Sequence, residues 1–483
     1  MDFGRRAFLG SAAAFLSAGA DEGCRTERRT DAPRLRLGVI ADPHIGTNWI
    51  MGINAPATEK ALRDLRTRGV DAVAVLGDLT ERGKISQFEE FAAIWHRVFP
   101  GDAGADGRKV EKLFVTGNHD VTCWKPVEKL DPEIYVAPRI AEHWRRLFGE
   151  EYAPGWRKEI NGIQFTGLNW GLYPKKAISD AHRREDLEPH LKEARARARP
   201  GDPIFHLQHG PAKNTCYCSG KKGFGTAEEL FVEDERLFVL SGHVHKPLIH
   251  PKSLWQGDYT LLSAGVITWT SFPPFGWPKD LPGGAAYAKS QCIISVFDDE
   301  IEIERLSVWT GERLGEIWRI PLPLRKADFP YTPERMAARA STPAFACGAA
   351  VSANVGMGEN VFWKVPPNKT AVQGKGGIVL TFPAAEAGGA DNLVMYYDVA
   401  ALKAGDGTKV ASRRFATDFF RGRRYMHGLC EYLFEDKRLE DGGEYAFEVR
   451  AVDFFGNVSE PIRSAPAAFR RGSWTPPDAA GKV

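Results

Sequence analysis

Lys112-Leu-Phe-Val-Thr116 followed by Gly117-Asn118-His119-Asp120 decides how this chain is read. An apolar run of strand character leads straight into a polar, metal-competent tetrapeptide. That places those side chains at the carboxyl end of a strand, where open α/β sheets hold their ligands. Three further runs end in the same way. Arg36-Leu-Gly-Val-Ile-Ala41 leads into Asp42-Pro43-His44, and Ala72-Val-Ala-Val-Leu76 into Gly77-Asp78. Leu237-Phe-Val-Leu240 leads into Ser241-Gly242-His243-Val244-His245. A fold that brings these ends together concentrates five of the twelve histidines (His44, His119, His209, His243 and His245) with Asp42, Asp78, Asn118 and Asp120.

Between these runs the periodicity changes from two to 3.6. Apolar residues recur at helical spacing from Ala57 to Arg68. Ser86-Gln-Phe-Glu89 has the form of a capping box opening a helix to Val98. Pro132 to Phe148 is amphipathic, and Arg184 to Arg199 reads as an exposed, charge-laced helix. Gly162–Asn169 and Pro203–Gln208 read as strands, the second ending at His209-Gly210-Pro211. Helices separating short strands predict parallel pairing through crossovers. Past His245 only strands are expected: Tyr259–Gly265, then a hairpin of Gln291–Phe297 and Ile301–Val308 on a second, antiparallel-edged sheet. Beyond a proline-rich boundary (Pro321, Pro323, Pro330, Pro333) the chain reads as all-β, with strands at 377–382, 392–398 and 443–453.

At 483 residues the chain is too long for one ordinary core. A net charge of +2 suggests no large electrostatic footprint for nucleic acid. No apolar run approaches the roughly 20 residues that span a bilayer. The first twenty residues have the anatomy of an export signal: Arg5-Arg6, an uncharged apolar stretch, then Ala18-Gly19-Ala20. Paired arginines before Phe8-Leu9 resemble the twin-arginine signal, so a periplasmic or extracellular location is expected. Anchoring through a lipid on Cys24 is disfavoured, because Asp21-Glu22-Gly23 lacks the apolar residue expected three positions upstream. The seven cysteines show no metal-finger spacing; Cys347 with Cys430 is one candidate disulfide, while Cys216 and Cys218 offer either an internal bridge or a thiol in their loop.

Mixed carboxylate and imidazole ligands around one bridging carboxylate are what a pair of divalent metals requires. Taken in order, Asp42-x-His44, Gly77-Asp78, Gly117-Asn-His-Asp120, His209 and Gly242-His-x-His245 resemble the full signature of the calcineurin-like metallophosphoesterases, over roughly residues 35 to 320. The Gly-His-x-His ending is most similar to the cyclic-nucleotide phosphodiesterase-like branch. Purple acid phosphatases place a tyrosine three residues after the second Asp, where this chain has Glu81. Gly77-Asp78-x-x-x-Arg82-Gly83 echoes protein Ser/Thr phosphatases, but those carry Gly-Asn-His-Glu and lack the Gly-His-x-His ending. Phe454-Phe-Gly-Asn-Val-Ser-Glu-Pro461 resembles the closing part of a fibronectin type III domain.

The resemblance implies an α/β fold, a four-layer α/β/β/α sandwich, followed by a small all-β sandwich. The expected division is a signal at 1–20, a solvated linker at 21–33, the metallophosphoesterase domain at 34–325 and a linker at 326–344. A fibronectin-like sandwich at 345–469 and a disordered tail at 470–483 complete it. By the resemblance Asp42, His44 and His245 hold one metal, Asn118, His209 and His243 the other, and Asp78 bridges both. The metals are manganese, iron or zinc, and a water bridging them attacks phosphorus in line. His119 is placed to protonate the leaving oxygen or to stabilise its charge, with Asp120 to fix its tautomer or to serve as a helix N-cap. His206 competes with His209, which strand-end placement favours. Trp49, Trp124 and Trp170 form either an aromatic rim for substrate or ordinary packing. Lys213, Lys221 and Lys222 either attract phosphate or are solvated loop charges.

The reading is an exported phosphodiesterase acting on a small-molecule, lipid or nucleotide phosphate ester. The alternatives are a phosphomonoesterase and a non-catalytic surface-binding protein making carbohydrate or protein contacts through the C-terminal domain. The chemistry is expected to survive removal of residues from 345 onward.

Overall fold

A computed structural model of the chain describes residues 31–46, 53–121, 127–172, 183–220, 227–232, 234–271, 281–282, 288–364, 369–389, 391–426, 428–435 and 437–469. The segments read as signal peptide and tail, and Trp49, Trp124, Lys221 and Lys222, lie outside the described residues. Strands and helices alternate first: β1 (Leu35–Ile40), α1 (Asn54–Thr67), β2 (Ala72–Leu76), α2 (Ile85–Val98), β3 (Glu111–Val115), the single turn α3 (Asn118–Val121), α4 (Ile140–Phe148), β4 (Gly155–Ile160), β5 (Ile163–Leu168), α5 (Arg184–Arg197), β6 (Ile204–Gln208) and β7 (Leu237–Ser241). Strands then dominate: β8 (Leu254–Gln256), β9 (Thr260–Ser263), β10 (Leu281–Pro282), β11 (Ser290–Val296), β12 (Glu300–Ser307) and β13 (Trp318–Pro321).

Two six-stranded sheets result, in the orders β13-β12-β11-β1-β2-β3 and β4-β5-β6-β7-β9-β8. Strands β1, β2 and β3 are parallel, as are β5, β6, β7 and β9. Side-chain alternation sorts the layers. Leu35, Leu37 and Val39 of β1 face Phe165, Phe205 and Phe238 of the other sheet in a shared β/β core. Ile40, Val73 and Val75 point the opposite way, onto Ala61 and Leu65 of α1 and Phe88 and Phe91 of α2. Ile204, Leu237 and Val239 meet Leu187 and Leu191 of α5 on the far side. These are the four layers α/β/β/α. Every residue of β2, β6 and β7 is buried, the signature of strands covered on both faces.

Three expectations need correction. The hairpin β11–β12 does not extend a second sheet: β11 pairs antiparallel with β1 and completes the first. The helix expected from Pro132 begins only at Ile140: Ala137–Arg139 forms a 3₁₀ turn, and Arg139 (φ −132°, ψ 41°) breaks helical geometry between it and the helix. Cys347 and Cys430 are free thiols, as are Cys216 and Cys218, so neither candidate disulfide forms.

After α6 (Pro333–Arg339) come β14 (Ser352–Lys364), β15 (Lys369–Pro383), β16 (Val394–Lys403), β17 (Lys409–Ala416), β18 (Leu429–Phe434), β19 (Glu444–Asp453), β20 (Ile462–Arg463) and β21 (Ala467–Ala468). One sheet runs β10-β14-β15-β18 and the other β17-β16-β19-β20, with β21 also on β19. Ile378, Leu380 and Phe382 of the first meet Val399, Phe447 and Val449 of the second in a core of their own. At the start of β19 the Tyr445 hydroxyl accepts from the Glu440 amide at 2.9 Å, a link back to the preceding corner. Among the described residues no helix is long and apolar enough to cross a membrane.

The β-rich region is joined to the α/β layers through their interior. Leu393, Met395, Phe419, Phe420 and Phe454 belong to the same apolar cluster as the two six-stranded sheets. Arg305, fully enclosed, stacks 3.7 Å from the Trp318 ring centre and donates to Asp391 Oδ1 at 2.6 Å, while Trp318 Nε1 donates to Asp391 Oδ2 at 2.7 Å. Cutting before residue 345 therefore uncovers apolar core and leaves the buried guanidinium without its carboxylate, which costs about 3–5 kcal/mol. The expectation of an independent α/β domain is replaced by a different one. Truncation at 344 should give insoluble protein or a strongly lowered Tm, and Phe454→Ala alone should cost about 3–5 kcal/mol in thermal unfolding. A truncated chain melting near the full-length Tm would contradict this.

Candidate metal centre

Strand ends build the site. Asp42 and His44 follow β1, Asp78 follows β2, Asn118 and His119 follow β3, His209 follows β6, and His243 and His245 follow β7. Among the described residues, ten that are not glycine have positive φ, and Asp42, His44, Asp78, His243 and His245 are five of them, at 46° to 67°. Asp and His tolerate this left-handed region better than most residues, but it is sparsely populated. Backbone bonds hold the turns: the His44 amide donates to Asp78 O at 2.9 Å, and the Gly242 amide to His209 O at 2.9 Å. Glycine is required beside the carboxylates. A Cβ on Gly117 would stand 2.2 Å from Asp78 Oδ1, and one on Gly242 2.5 Å from Asp42 Oδ2.

The side chains converge in two groups that share Asp78. Asp42, His44, Asp78 and His245 form one, and Asp78, His209 and His243 the other, the potential ligand atoms of each lying within 4.8 Å of one another. Asp78 Oδ2 is 3.3 Å from His44 Nε2 and 3.1 Å from His209 Nε2. Asp42 Oδ1 is 3.1 Å from His245 Nε2. Asn118 Oδ1 lies 3.2 Å from His209 Nε2, and His243 Nδ1 faces that same nitrogen at 3.1 Å.

Contacts on the outer side set the tautomers. His44 Nδ1 bonds Glu81 Oε2 at 2.8 Å, His209 Nδ1 donates to Leu76 O at 2.7 Å, and His245 Nδ1 donates to Trp269 O at 3.1 Å. Each therefore turns Nε2 inward. His44 Nε2 is fully buried with no hydrogen-bond partner. A buried, oriented lone pair facing carboxylate oxygens and other inward nitrogens fits a cation and little else. Charge points the same way. Burial alone would raise Asp42 and Asp78, yet His245 and His44 hold Asp42 down, and His209 and His119 hold Asp78 well below the carboxylate range. Burial opposes the His44 cation, but Asp42, Asp78 and Glu81 raise it well above normal; the carboxylates likewise lift His209 to about 9. His243, buried beside the charge on His209, falls to about 3. Carboxylate and imidazole thus offset each other's burial, a charge balance that bound cations would take over.

His119 lies at the edge of the cluster, its ring 4.6 Å from that of His44. Its Nδ1 donates to the Glu81 carbonyl at 2.8 Å, so Glu81, and not Asp120, fixes the tautomer. Asp120 instead accepts from the amides of Leu79, Thr80 and Gly117 and from the Thr80 hydroxyl, at 2.8 to 3.1 Å, pegging the β2 and β3 turns together. Burial and the nearby Asp78 raise its carboxyl to about 7. His206 bonds Thr166 and Gln208 within the sheet beside Phe231, outside either group. Trp170 is buried, its ring 5.6 Å from His209 and 5.7 Å from His243, so it walls these imidazoles and offers substrate no open face. Lys213 is exposed. Sequence reading missed Glu81 as the partner of His44, and Trp269, stacked 4.0 Å from His245. The Glu81 signal was present, three residues after Asp78 where one related family ligates through Tyr.

A four-layer sandwich with a shared-carboxylate Asp/His/Asn cluster at facing strand ends is of the metallophosphoesterase class. Residues 35–247 match the calcineurin-like phosphoesterase family, and the chain carries a domain of that family, whose members are metal-dependent hydrolases of phosphoric esters. Solved structures similar to it include a dimetal phosphatase from Danio rerio (12% identity, 60% of this chain and 99% of that one, TM-score 0.36). Others are a purple acid phosphatase from yellow lupin seeds (14%, 59% and 53%, TM-score 0.39) and a predicted phosphoesterase from Streptococcus pneumoniae (14%, 59% and 97%, TM-score 0.28). No curated protein matches the chain.

The glycine contacts give a direct test. Gly242→Ala should fold yet take up at least one metal ion fewer than the wild type, measured by elemental analysis after dialysis. Full metal content would show that the Asp42 carboxylate has more room than the 2.5 Å contact allows.

Proposed function

We propose that the protein is an exported, dinuclear metal-dependent phosphoesterase acting on phosphodiesters. Asp42, His44 and His245 hold one ion, Asn118, His209 and His243 the other, and Asp78 both. One observation carries this: Asp78 Oδ2 stands between His44 and His209, which belong to opposite sheets. A single oxygen in reach of two imidazole groups is what a bridging ligand needs. Two divalent cations would supply Lewis acidity toward phosphoryl oxygens and an acidified water. The chain does the rest. Glu81, Leu76 O and Trp269 O orient the imidazoles, and buried Trp170 with half-buried Trp269 keeps bulk water from the back of the cluster. His119, with Nδ1 engaged by Glu81 O, presents Nε2 as the group that hands a proton to the leaving oxygen.

The diester preference rests on the Gly242-His243-x-His245 ending, which sends its two histidines to different groups. Export rests on the Arg5-Arg6 start. The C-terminal sandwich is read as fibronectin type III-like, supported by its two antiparallel sheets and by the Tyr445 corner.

Hydrolysis of bis(p-nitrophenyl) phosphate should exceed that of p-nitrophenyl phosphate when manganese is restored after chelation, and should vanish in the chelated protein. Faster monoester cleavage would move the assignment to a phosphomonoesterase, and bound metal without either activity to a binding protein. His119→Asn should keep its metal and lose about 10²–10⁴-fold in kcat. Unchanged turnover in that variant would remove His119 from the mechanism.

A further inference from the structure

Lys289, just before β11, has no role in the chemistry above, yet its ammonium is buried beneath the metal centre. It donates to Asn54 Oδ1 at 3.0 Å, to Thr268 O at 3.0 Å and to Ile267 O. All three protons are spent on neutral acceptors, and among the described residues no carboxylate pairs with it. Burial alone lowers the ammonium to about 7. A cation kept dry without a counter-charge is costly, and persists where it holds something in place.

Its acceptors are the supports of two candidate ligands. The Ile267 amide donates to Ala41 O at 2.9 Å and the Thr268 amide to Asp42 O at 3.1 Å, so segment 267–268 is laid along the end of β1. Asn54, also buried, donates through Nδ2 to Thr268 Oγ1 at 2.9 Å and to His44 O at 3.3 Å. One ammonium thus ties α1 and segment 267–268 to the backbone of Asp42 and His44, whose φ values are 52° and 46°. None of these bonds reaches Asn118, His209 or His243.

We propose that Lys289 is the positioning residue for one metal subsite, holding Asp42 and His44 in their left-handed turns through Asn54, Ile267 and Thr268. This rests on the dinuclear reading. The substitution Lys289→Met removes the three donors and leaves three buried acceptors unpaired. Its consequence is selective: the subsite of Asp42, His44 and His245 weakens, while that of Asn118, His209 and His243 does not.

The test is manganese titration of the chelator-stripped, full-length protein by calorimetry, with Tm of the stripped form measured in parallel. Lys289→Met should weaken one of the two ions about 10–100-fold, as loss of outer support does at metal sites. In a His243→Ala background the remaining ion should weaken by the same factor; in a His245→Ala background it should change less than about threefold. Asn54→Ala, which spares the two carbonyl bonds of Lys289, should give the same pattern with a smaller factor, and serves if Lys289→Met does not fold. A lowered Tm with both affinities unchanged, or equal weakening in the two backgrounds, would overturn the proposal. Absence of manganese binding in the wild type would instead overturn the dinuclear reading, and this inference with it.

Discussion

The structure turns on the approach of one carboxylate to imidazoles from both sheets. Asp78 Oδ2 reaches His44 at the end of β1 and His209 at the end of β6, and it can do so only because two six-stranded sheets packed face to face bring their carboxyl ends together. That meeting is set by the shared β/β core, where Leu35, Leu37 and Val39 face Phe165, Phe205 and Phe238. The cost falls on the turns. Five of the converging residues adopt positive φ, and Gly117 and Gly242 leave no room for a methyl beside the carboxylates. The apolar layers and the buried bonds of Asp120 stabilise what the turns alone would not adopt.

The C-terminal sandwich shares in that stabilisation. Phe419, Phe420 and Phe454 complete the core beneath the α/β layers, and Asp391 neutralises Arg305 inside it. The α/β layers and the sandwich therefore share one apolar cluster, and their stabilities are coupled through it.

Legibility in the sequence followed the range of the interaction. Strand ends carrying Asp-x-His, Gly-Asp, Gly-Asn-His-Asp and Gly-His-x-His are local patterns, and the residues they mark are the ones that the structure gathers. His209 was separable from His206 by position alone, since one ends a strand and the other lies inside it. What escaped depends on partners distant in the chain: Lys289 bonds Asn54 across 235 positions, and Asp120 reaches Leu79 and Thr80 across about forty. Strand β14 was hidden because Gly356 and Gly358 interrupt its alternation, and β11–β12 gave no sign of which sheet it would join. Trp170 carried no signal to separate packing from substrate contact; burial decided for packing.

Anomalous diffraction from crystals grown with manganese tests the central claim most directly. Two peaks about 3.5–4 Å apart, with Asp78 Oδ2 between them, His44 and His245 on one and His209 and His243 on the other, are the predicted result. A single peak, or two that do not share Asp78, would contradict it.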